Sequence, residues 1–180
     1  IRAIYDTPIP EAFPALAALA ERPAAPSSDS LYNWRRILAA HFRMGKRSDV
    51  EALLHLANVV TIPEAARIEA LNNLARWSTP PELDPVTGAW QPFREKRSTD
   101  TKDVVNAALP ALLNSDSPPF LLALGALCET YELDGAVPAL VTLAGNQEGD
   151  PAQRVAAMKL VGSVKPEALR ELLVQTLADP

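Results

Sequence analysis

Cysteine is nearly absent from this chain, and that scarcity excludes several kinds of site. Cys128 is the single cysteine among 180 residues. An internal disulfide, a cysteine-rich zinc site and a covalently attached c-type haem are therefore excluded within the chain. Glycine is also scarce, because the seven glycines are scattered and none belongs to a glycine-rich phosphate-binding loop.

Aromatic residues, strand patterns and positive charge are scarce as well. Only 6% of the residues are aromatic, whereas 48% are hydrophobic. Alanine and leucine supply most of this apolar content, which favours closely packed helices over a sheet. The net charge of −5 disfavours DNA or RNA as a partner. No secretory signal pattern is present, and no apolar run is long enough to be a transmembrane segment.

A short apolar pattern recurs along the chain. It reads AFPAL at 12–16, ALPAL at 108–112 and AVPAL at 136–140, with looser copies at 49–53 and 168–172. The central positions of the five copies are separated by 37, 59, 28 and 32 residues. The long interval returns to an ordinary repeat length when the segment after Trp77 is set aside. This regularity is typical of an internal repeat.

A second pattern alternates with the first. A β-branched residue directly follows each of Arg36, Arg67 and Arg154, and an alanine lies three positions after each arginine. The frame at 120–123 keeps the apolar residues without the arginine. Each copy lies on a stretch with apolar residues at helical spacing. The two patterns therefore predict alternating helices, which we call A helices (those with the second pattern) and B helices (those with the first).

Prolines and capping residues predict where these helices begin. Ser117-Pro118 and Asp150-Pro151 have the form of an N-cap followed by a proline in the first turn. The A helices are predicted to begin near Ser30, Pro63, Pro118 and Pro151. The B helices are predicted to begin near Pro10, Lys46, Asp103, Gly135 and Pro166.

Helix pairs repeating about four and a half times predict an all-α fold, a right-handed α-solenoid over the single domain 1–180. The repeat length and the Pro-Ala-Leu of the B helices resemble HEAT repeats and, less closely, armadillo repeats. The chain begins in what reads as the end of a helix and ends directly after another. We therefore expect it to be a piece of a longer protein.

A long loop insertion at 78–100 interrupts the repeats. Asp84-Pro85-Val86-Thr87-Gly88 is a turn signal, since aspartate can cap its own turn and glycine accepts positive φ. Trp90 and Phe93 indicate an ordered loop, and we expect both to pack back on the helices near Trp77. The loop then either covers helix ends or docks a partner, with Trp77, Trp90 and Phe93 as candidate contacts.

Four stretches carry a more specific resemblance. LARWSTPP at 74–81, DPVTGAWQP at 84–92, RAIYDTPI at 2–9 and RRILAAHFRMG at 35–45 are similar to the HEAT-repeat region of planctomycete-type membrane-bound dehydrogenases, also described as haem-binding proteins. In that family a dehydrogenase domain precedes the repeats and a c-type cytochrome domain follows them. The resemblance implies a periplasmic or membrane-associated redox protein, with any haem outside these residues. It transfers no catalytic residue to this chain.

Few residues suggest chemistry of their own. His41 and His55 are predicted on consecutive helices of one repeat and could approach each other, but no third metal ligand follows with suitable spacing. Cys128 is predicted to be buried without an activating base or cation. We therefore predict no catalytic, metal or cofactor site. Arg36, Arg67 and Arg154 either cap neighbouring repeats or form a row of cations that meets an acidic partner.

The sequence thus predicts a non-catalytic scaffold that holds a protein partner or the flanking domains of a larger, haem-linked dehydrogenase-like protein. One alternative is an independent adaptor that binds a peptide or protein through its concave face and the Trp90/Phe93 loop. Another is a HEAT-like enzyme: a lyase or other protein that binds a bilin chromophore, or a DNA glycosylase, which the acidic net charge disfavours.

Overall fold

The computed structural model describes residues 1–7, 9–21, 31–93 and 96–178, with side chains as far as 174. The described chain is helical. Within it no strand forms, and one isolated antiparallel bridge joins Leu83 to Trp90. Its helices pack against each other, so the all-α prediction is confirmed. None of these helices combines the length and the apolar character needed to cross a membrane.

The chain divides into two compact units, Ile1–Val105 and Asn106–Pro180. The first unit begins with short helices and continues with three longer ones. Its helices are α1 (Arg2–Asp6), α2 (Phe13–Ala17), α3 (Leu31–Met44), α4 (Arg47–Asn58) and α5 (Glu64–Ala75), with 3₁₀ turns at Pro10–Ala12 and Ala18–Glu21. The predicted loop follows α5.

The boundary between the units falls within α6 (Lys102–Leu112). The second unit then continues with longer helices and one shorter helix. They are α7 (Pro118–Tyr131), α8 (Val137–Gly145), α9 (Pro151–Val164) and α10 (Pro166–Ala178), with a 3₁₀ turn at Asp134–Ala136 before α8.

The helix starts lie close to the predicted positions. Every described start falls within about one turn of its prediction. Ser30 lies outside the described residues, and α3 is described from Leu31. Both predicted N-caps are confirmed, because the side chain of Ser117 accepts from the backbone N–H of Phe120 at 3.2 Å and that of Asp150 from Gln153 at 3.0 Å. Local capping chemistry therefore sets where these helices begin.

In the first unit, α3 is the central helix. It contacts α1, α2, α4 and α5. The side chains of Ile37, Leu38 and Phe42 on α3 are almost completely buried. A helix surrounded in this way must be apolar around most of its circumference, and this explains the run of buried residues from Arg36 to Ala40.

In the second unit, like helices contact like. The A helices α7 and α9 touch each other, the B helices α8 and α10 touch each other, and α9 contacts both α8 and α10. Gly125 of α7 lies against Leu160 of α9, and a Cβ added at Gly125 would meet Leu160 Cδ2 at 1.8 Å. The close approach of these two helices thus requires glycine at 125.

Replacing Gly125 with alanine is expected to lower the free energy of unfolding by about 1–3 kcal/mol, because Leu160 is buried and cannot move aside. Gly162→Ala is the matched control. Its added Cβ would meet Leu169 Cδ2 at 2.8 Å, but Leu169 is only half-buried and can turn away, so the gain in helix propensity should leave stability unchanged or raised. Urea unfolding measures both variants. Equal effects would contradict the proposed constraint at Gly125.

Candidate functional site

Residues 82–91 of the predicted loop fold into a small hairpin. The backbone N–H of Asp84 donates to Ala89 at 2.8 Å, and that of Gln91 donates to Glu82 at 2.9 Å. Gly88 closes the turn with a φ of +72° and donates its backbone N–H to the carbonyl of Asp84 at 2.8 Å. The turn predicted from Asp84 to Gly88 is therefore confirmed.

The carboxylate of Asp84 holds this hairpin from both sides. Its Oδ1 accepts the backbone N–H groups of Val86 and Thr87 at 3.0 and 2.8 Å, which fixes the turn from within. Its Oδ2 accepts the hydroxyl of Tyr5 at 2.7 Å and Nη2 of Arg43 at 2.6 Å. Tyr5 belongs to α1 and Arg43 to α3, so one side chain joins the hairpin to two helices.

The electrostatics of this cluster follow from its burial. Asp84 is 1% exposed. Burial opposes its charge, but the hydrogen bonds from Tyr5 and Arg43 outweigh burial and lower the pKa of the carboxyl. Burial and the neighbouring carboxylate raise the pKa of Tyr5, so its hydroxyl remains a donor. A buried carboxylate that is paired and fully hydrogen-bonded is costly to break.

An aromatic cluster secures the rest of the loop. Phe42 of α3 lies edge-on to Trp77 and Phe93, with ring centroids 5.9 and 5.2 Å away. The guanidinium of Arg97 lies over the rings of Trp77, Phe42 and Phe93 at 4.0, 4.3 and 4.9 Å. Trp77 Nε1 donates to the carbonyl of Ser98 at 2.8 Å. The loop is therefore ordered where it is described.

The candidate aromatic residues have different environments. Trp77 is 2% exposed and has little surface to offer a partner. The prediction that Phe93 packs back near Trp77 is confirmed. The same prediction for Trp90 is wrong, because 67% of Trp90 remains exposed. Trp90 is bridged to Leu83, which is 55% exposed. Successive side chains of an extended segment point to opposite faces, so Leu83 and Trp90 project to the face opposite the buried Asp84.

The three candidate arginines donate to neighbouring segments. Arg67 Nε donates to the carbonyl of Ala57 at 2.7 Å, and Arg154 Nε donates to that of Ala144 at 3.3 Å. Each acceptor lies ten residues upstream in the last turn of a B helix, so the same capping contact occurs in both units. Arg36 is 8% exposed and binds both carboxylate oxygens of Asp6 instead.

The two histidines line one cavity. It has a volume of about 650 Å³ and lies against one face of α4. His41 Nδ1 is 2.9 Å from Oδ1 of the buried Asp49, whose Oδ2 accepts the backbone N–H of Lys46 at 2.9 Å. His55 is exposed. Among the described residues, no group of three or more histidine, cysteine or acidic side chains is placed to hold a metal ion.

Cys128 is buried on α7, as predicted from its apolar neighbours. Burial raises the pKa of its thiol to about 12. Near neutral pH the residue is therefore a thiol and not a thiolate, and it behaves as a small apolar side chain.

Comparisons with known proteins do not place this chain in a family. No protein-family model, no curated protein and no solved structure matches it. The interpretation of the hairpin therefore depends on its geometry.

Sequence reasoning identified the turn at Asp84 but missed its partners. The Asp-Pro-Val-Thr-Gly stretch predicts a self-capping turn because all of its contacts are local. Tyr5 lies 79 residues and Arg43 lies 41 residues from Asp84. No local pattern marks either residue as a partner, although each lies in one of the stretches that carry the family resemblance.

Removing the Asp84 carboxylate should destabilise the first unit strongly. Asp84→Ala leaves Arg43 buried without its counter-ion, so we expect a loss of about 3–5 kcal/mol in the free energy of unfolding. Asp116→Ala, at an exposed loop position, should change it by less than about 0.5 kcal/mol. Urea denaturation compares the two variants. A loss of less than about 1 kcal/mol for Asp84→Ala would show that the hairpin is not held by this carboxylate.

The lowered pKa of Asp84 predicts that the stability of the fold depends on pH. The pKa of this carboxyl is lower in the folded chain than in the unfolded chain, where aspartate has a pKa of about 3.9. Its stabilising contribution is therefore present above that value and is lost as the pH falls through the folded pKa. Asp84→Asn should accordingly show a shallower loss of stability below about pH 4 than the unmodified chain. Acid-unfolding curves of the two proteins measure this difference. An equal or steeper loss of stability for Asp84→Asn would contradict the prediction.

Proposed function

We propose that this chain is a non-catalytic interaction module in which the hairpin docks a protein surface. The observation that supports it is the pair of exposed apolar side chains, Trp90 and Leu83, on a turn held by the buried Asp84. A loop that only covered helix ends would bury its large aromatic residues. This loop covers Trp77, which precedes it, but of its own two large aromatic residues Phe93 is only partly buried and Trp90 remains exposed.

Rigidity makes such an exposed pair suited to binding. Tryptophan contributes strongly at protein interfaces when it is seated in a pocket of the partner. Ordering a flexible loop on binding would cost free energy, whereas a hairpin already fixed by Asp84, Tyr5 and Arg43 avoids most of that cost. The hairpin is therefore preorganised for recognition.

The repeat pattern supports a scaffold as the setting for this hairpin. In the second unit A helices contact A helices and B helices contact B helices, as neighbouring pairs do in a HEAT-like solenoid. The arginine cap from an A helix to the preceding B helix occurs in both units. On this proposal the solenoid holds a protein partner or the flanking domains of a larger, haem-linked dehydrogenase-like protein.

Trp90→Ala tests the docking role. Because Trp90 is largely exposed, its removal should leave the melting temperature within about 2 °C of the original and weaken capture of the protein partner by at least about tenfold. Val60→Ala is the matched control, since Val60 is 79% exposed outside the hairpin. If Trp90→Ala lowers stability and leaves capture unchanged, the loop covers the helices and does not dock a partner.

The haem-linked setting has a separate spectroscopic test. Oxidised and reduced spectra of the full-length protein are compared with those of the 180-residue chain. A c-type haem band in the full-length protein alone would support a module between redox domains, and its absence would remove the redox setting. Adding haem or bilin to the 180-residue chain tests the chromophore alternative, which a lack of spectral change would exclude.

A further inference from the structure

A pocket rich in arginine lies beside the hairpin tip. It has a volume of about 370 Å³ and is lined by Arg2, Tyr32, Arg35, Arg36 and Val86. Arg2 belongs to α1, the next three residues belong to the first turns of α3, and Val86 belongs to the hairpin. Three guanidinium groups thus meet in one pocket of a chain whose net charge is −5.

Two carboxylates face these three cations. Arg36 binds both oxygens of Asp6 at 2.9 Å, and Arg2 Nε donates to the same carboxylate at 3.2 Å. Arg35 Nη2 is 3.6 Å from Oε1 of Glu69. Counted over the described residues, the cluster therefore carries one positive charge more than its carboxylates balance.

The uncompensated donors are on Arg2 and Arg35. Within the described residues, no hydrogen bond is donated by the two Nη groups of Arg2 or by Nη1 of Arg35. Arg35 Nε is buried and also lacks an acceptor. Arg36, in contrast, is fully engaged by Asp6 and by the carbonyl of Tyr32, which accepts from Nη1 at 2.9 Å.

The Arg35 guanidinium is held in position before any ligand arrives. Arg35 Nη2 donates to the carbonyl of Pro85 at 2.8 Å, and Pro85 directly follows the buried Asp84. The side chain of Arg35 is therefore fixed between α3 and the hairpin. Tyr32, 74% exposed, lies one turn before Arg35 and Arg36 on the same face of α3 and forms an aromatic wall.

We propose that this pocket binds one carboxylate of an acidic protein segment. This inference rests on the proposed docking function and names the chemistry of the partner. The single unbalanced positive charge matches one carboxylate better than a dianionic phosphate. Planar guanidinium groups bind a carboxylate through paired N–H donors.

The surroundings favour a protein segment over a small free carboxylate. Val86 in the pocket wall and the exposed pair Leu83 and Trp90 belong to the same hairpin. A segment with an acidic residue next to apolar residues could therefore place the carboxylate between Arg2 and Arg35 and an apolar side chain on the hairpin.

A peptide titration followed by NMR tests this pocket. The probe is the blocked peptide acetyl-Gly-Glu-Leu-Glu-Leu-Gly-amide, added to the full 180-residue chain at low ionic strength. We expect saturable shifts of the Nε–H signals of Arg2 and Arg35, which weaken as salt screens the interaction. The same peptide with glutamine in place of glutamate should bind at least about tenfold more weakly.

Two variants test the pocket, and they differ in how far they could disturb folding. Arg35→Gln removes a group that also holds the hairpin and should weaken peptide binding about tenfold. Arg2→Gln removes a side chain that is 86% exposed and should weaken binding about threefold with unchanged stability. Lys159→Gln, an exposed lysine of α9, is the charge-matched control and should leave binding unchanged.

Several results would overturn the inference. They are an absence of saturable binding, equal binding of the glutamine peptide, and binding that neither arginine variant weakens. Displacement of the peptide by inorganic phosphate at lower concentration than by acetate would also reject carboxylate recognition. A partner lost with Trp90→Ala but kept with both arginine variants would leave the proposed function standing and remove this inference. A partner kept with Trp90→Ala but lost with both arginine variants would keep the arginine pocket as a binding site and remove the exposed hairpin pair from the proposed docking surface.

Discussion

The ion pair between Asp84 and Arg43 is the contact on which the ordered loop depends. Both groups are removed from solvent, so their attraction is not screened by water, and separating them would leave an unpaired charge in the protein interior. Tyr5 adds a third partner from a different helix. This arrangement converts a connection that could have been a mobile linker into a fixed projection. The exposed hairpin pair and the position of Arg35 both follow from that one buried carboxylate.

The recurring arginines illustrate how one sequence pattern acquires two structural roles. Arg67 and Arg154 satisfy carbonyl groups at the end of the preceding B helix, where four acceptors would otherwise lack intrahelical partners. Arg36 occupies the same frame but lies next to α1, whose Asp6 offers a stronger, charged acceptor. It therefore helps to hold α1 and becomes part of the pocket that lies beside the hairpin tip. The same repeat position can thus keep its arginine, while the neighbouring segments decide whether that arginine caps a helix or pairs with a carboxylate.

Much of the helix order could be predicted because its signals are local. Prolines and N-cap side chains act within one turn, so Ser117 and Asp150 mark helix starts without any knowledge of the fold. The environments of Trp90 and Phe93 could not be separated in this way. Both are aromatic residues in the same loop, but Trp90 lies opposite Leu83 in the hairpin, whereas Phe93 lies beyond the hairpin and reaches Phe42. The arginine pocket was also hidden, because Arg2, Arg35 and Val86 meet only after the chain has folded.

The bond between Tyr5 and Asp84 has a consequence for synthesis on the ribosome. Its two ends are separated by 79 residues, and such non-local contacts form late because a long loop must close first. When α1 emerges, the carboxylate that secures it has not yet been translated. The nascent helices α3, α4 and α5 can associate earlier, since they are neighbours along the chain. Helix α1 is therefore made before its partner and is among the last segments of the first unit to be fixed, and until then its apolar side chains remain available to chaperones.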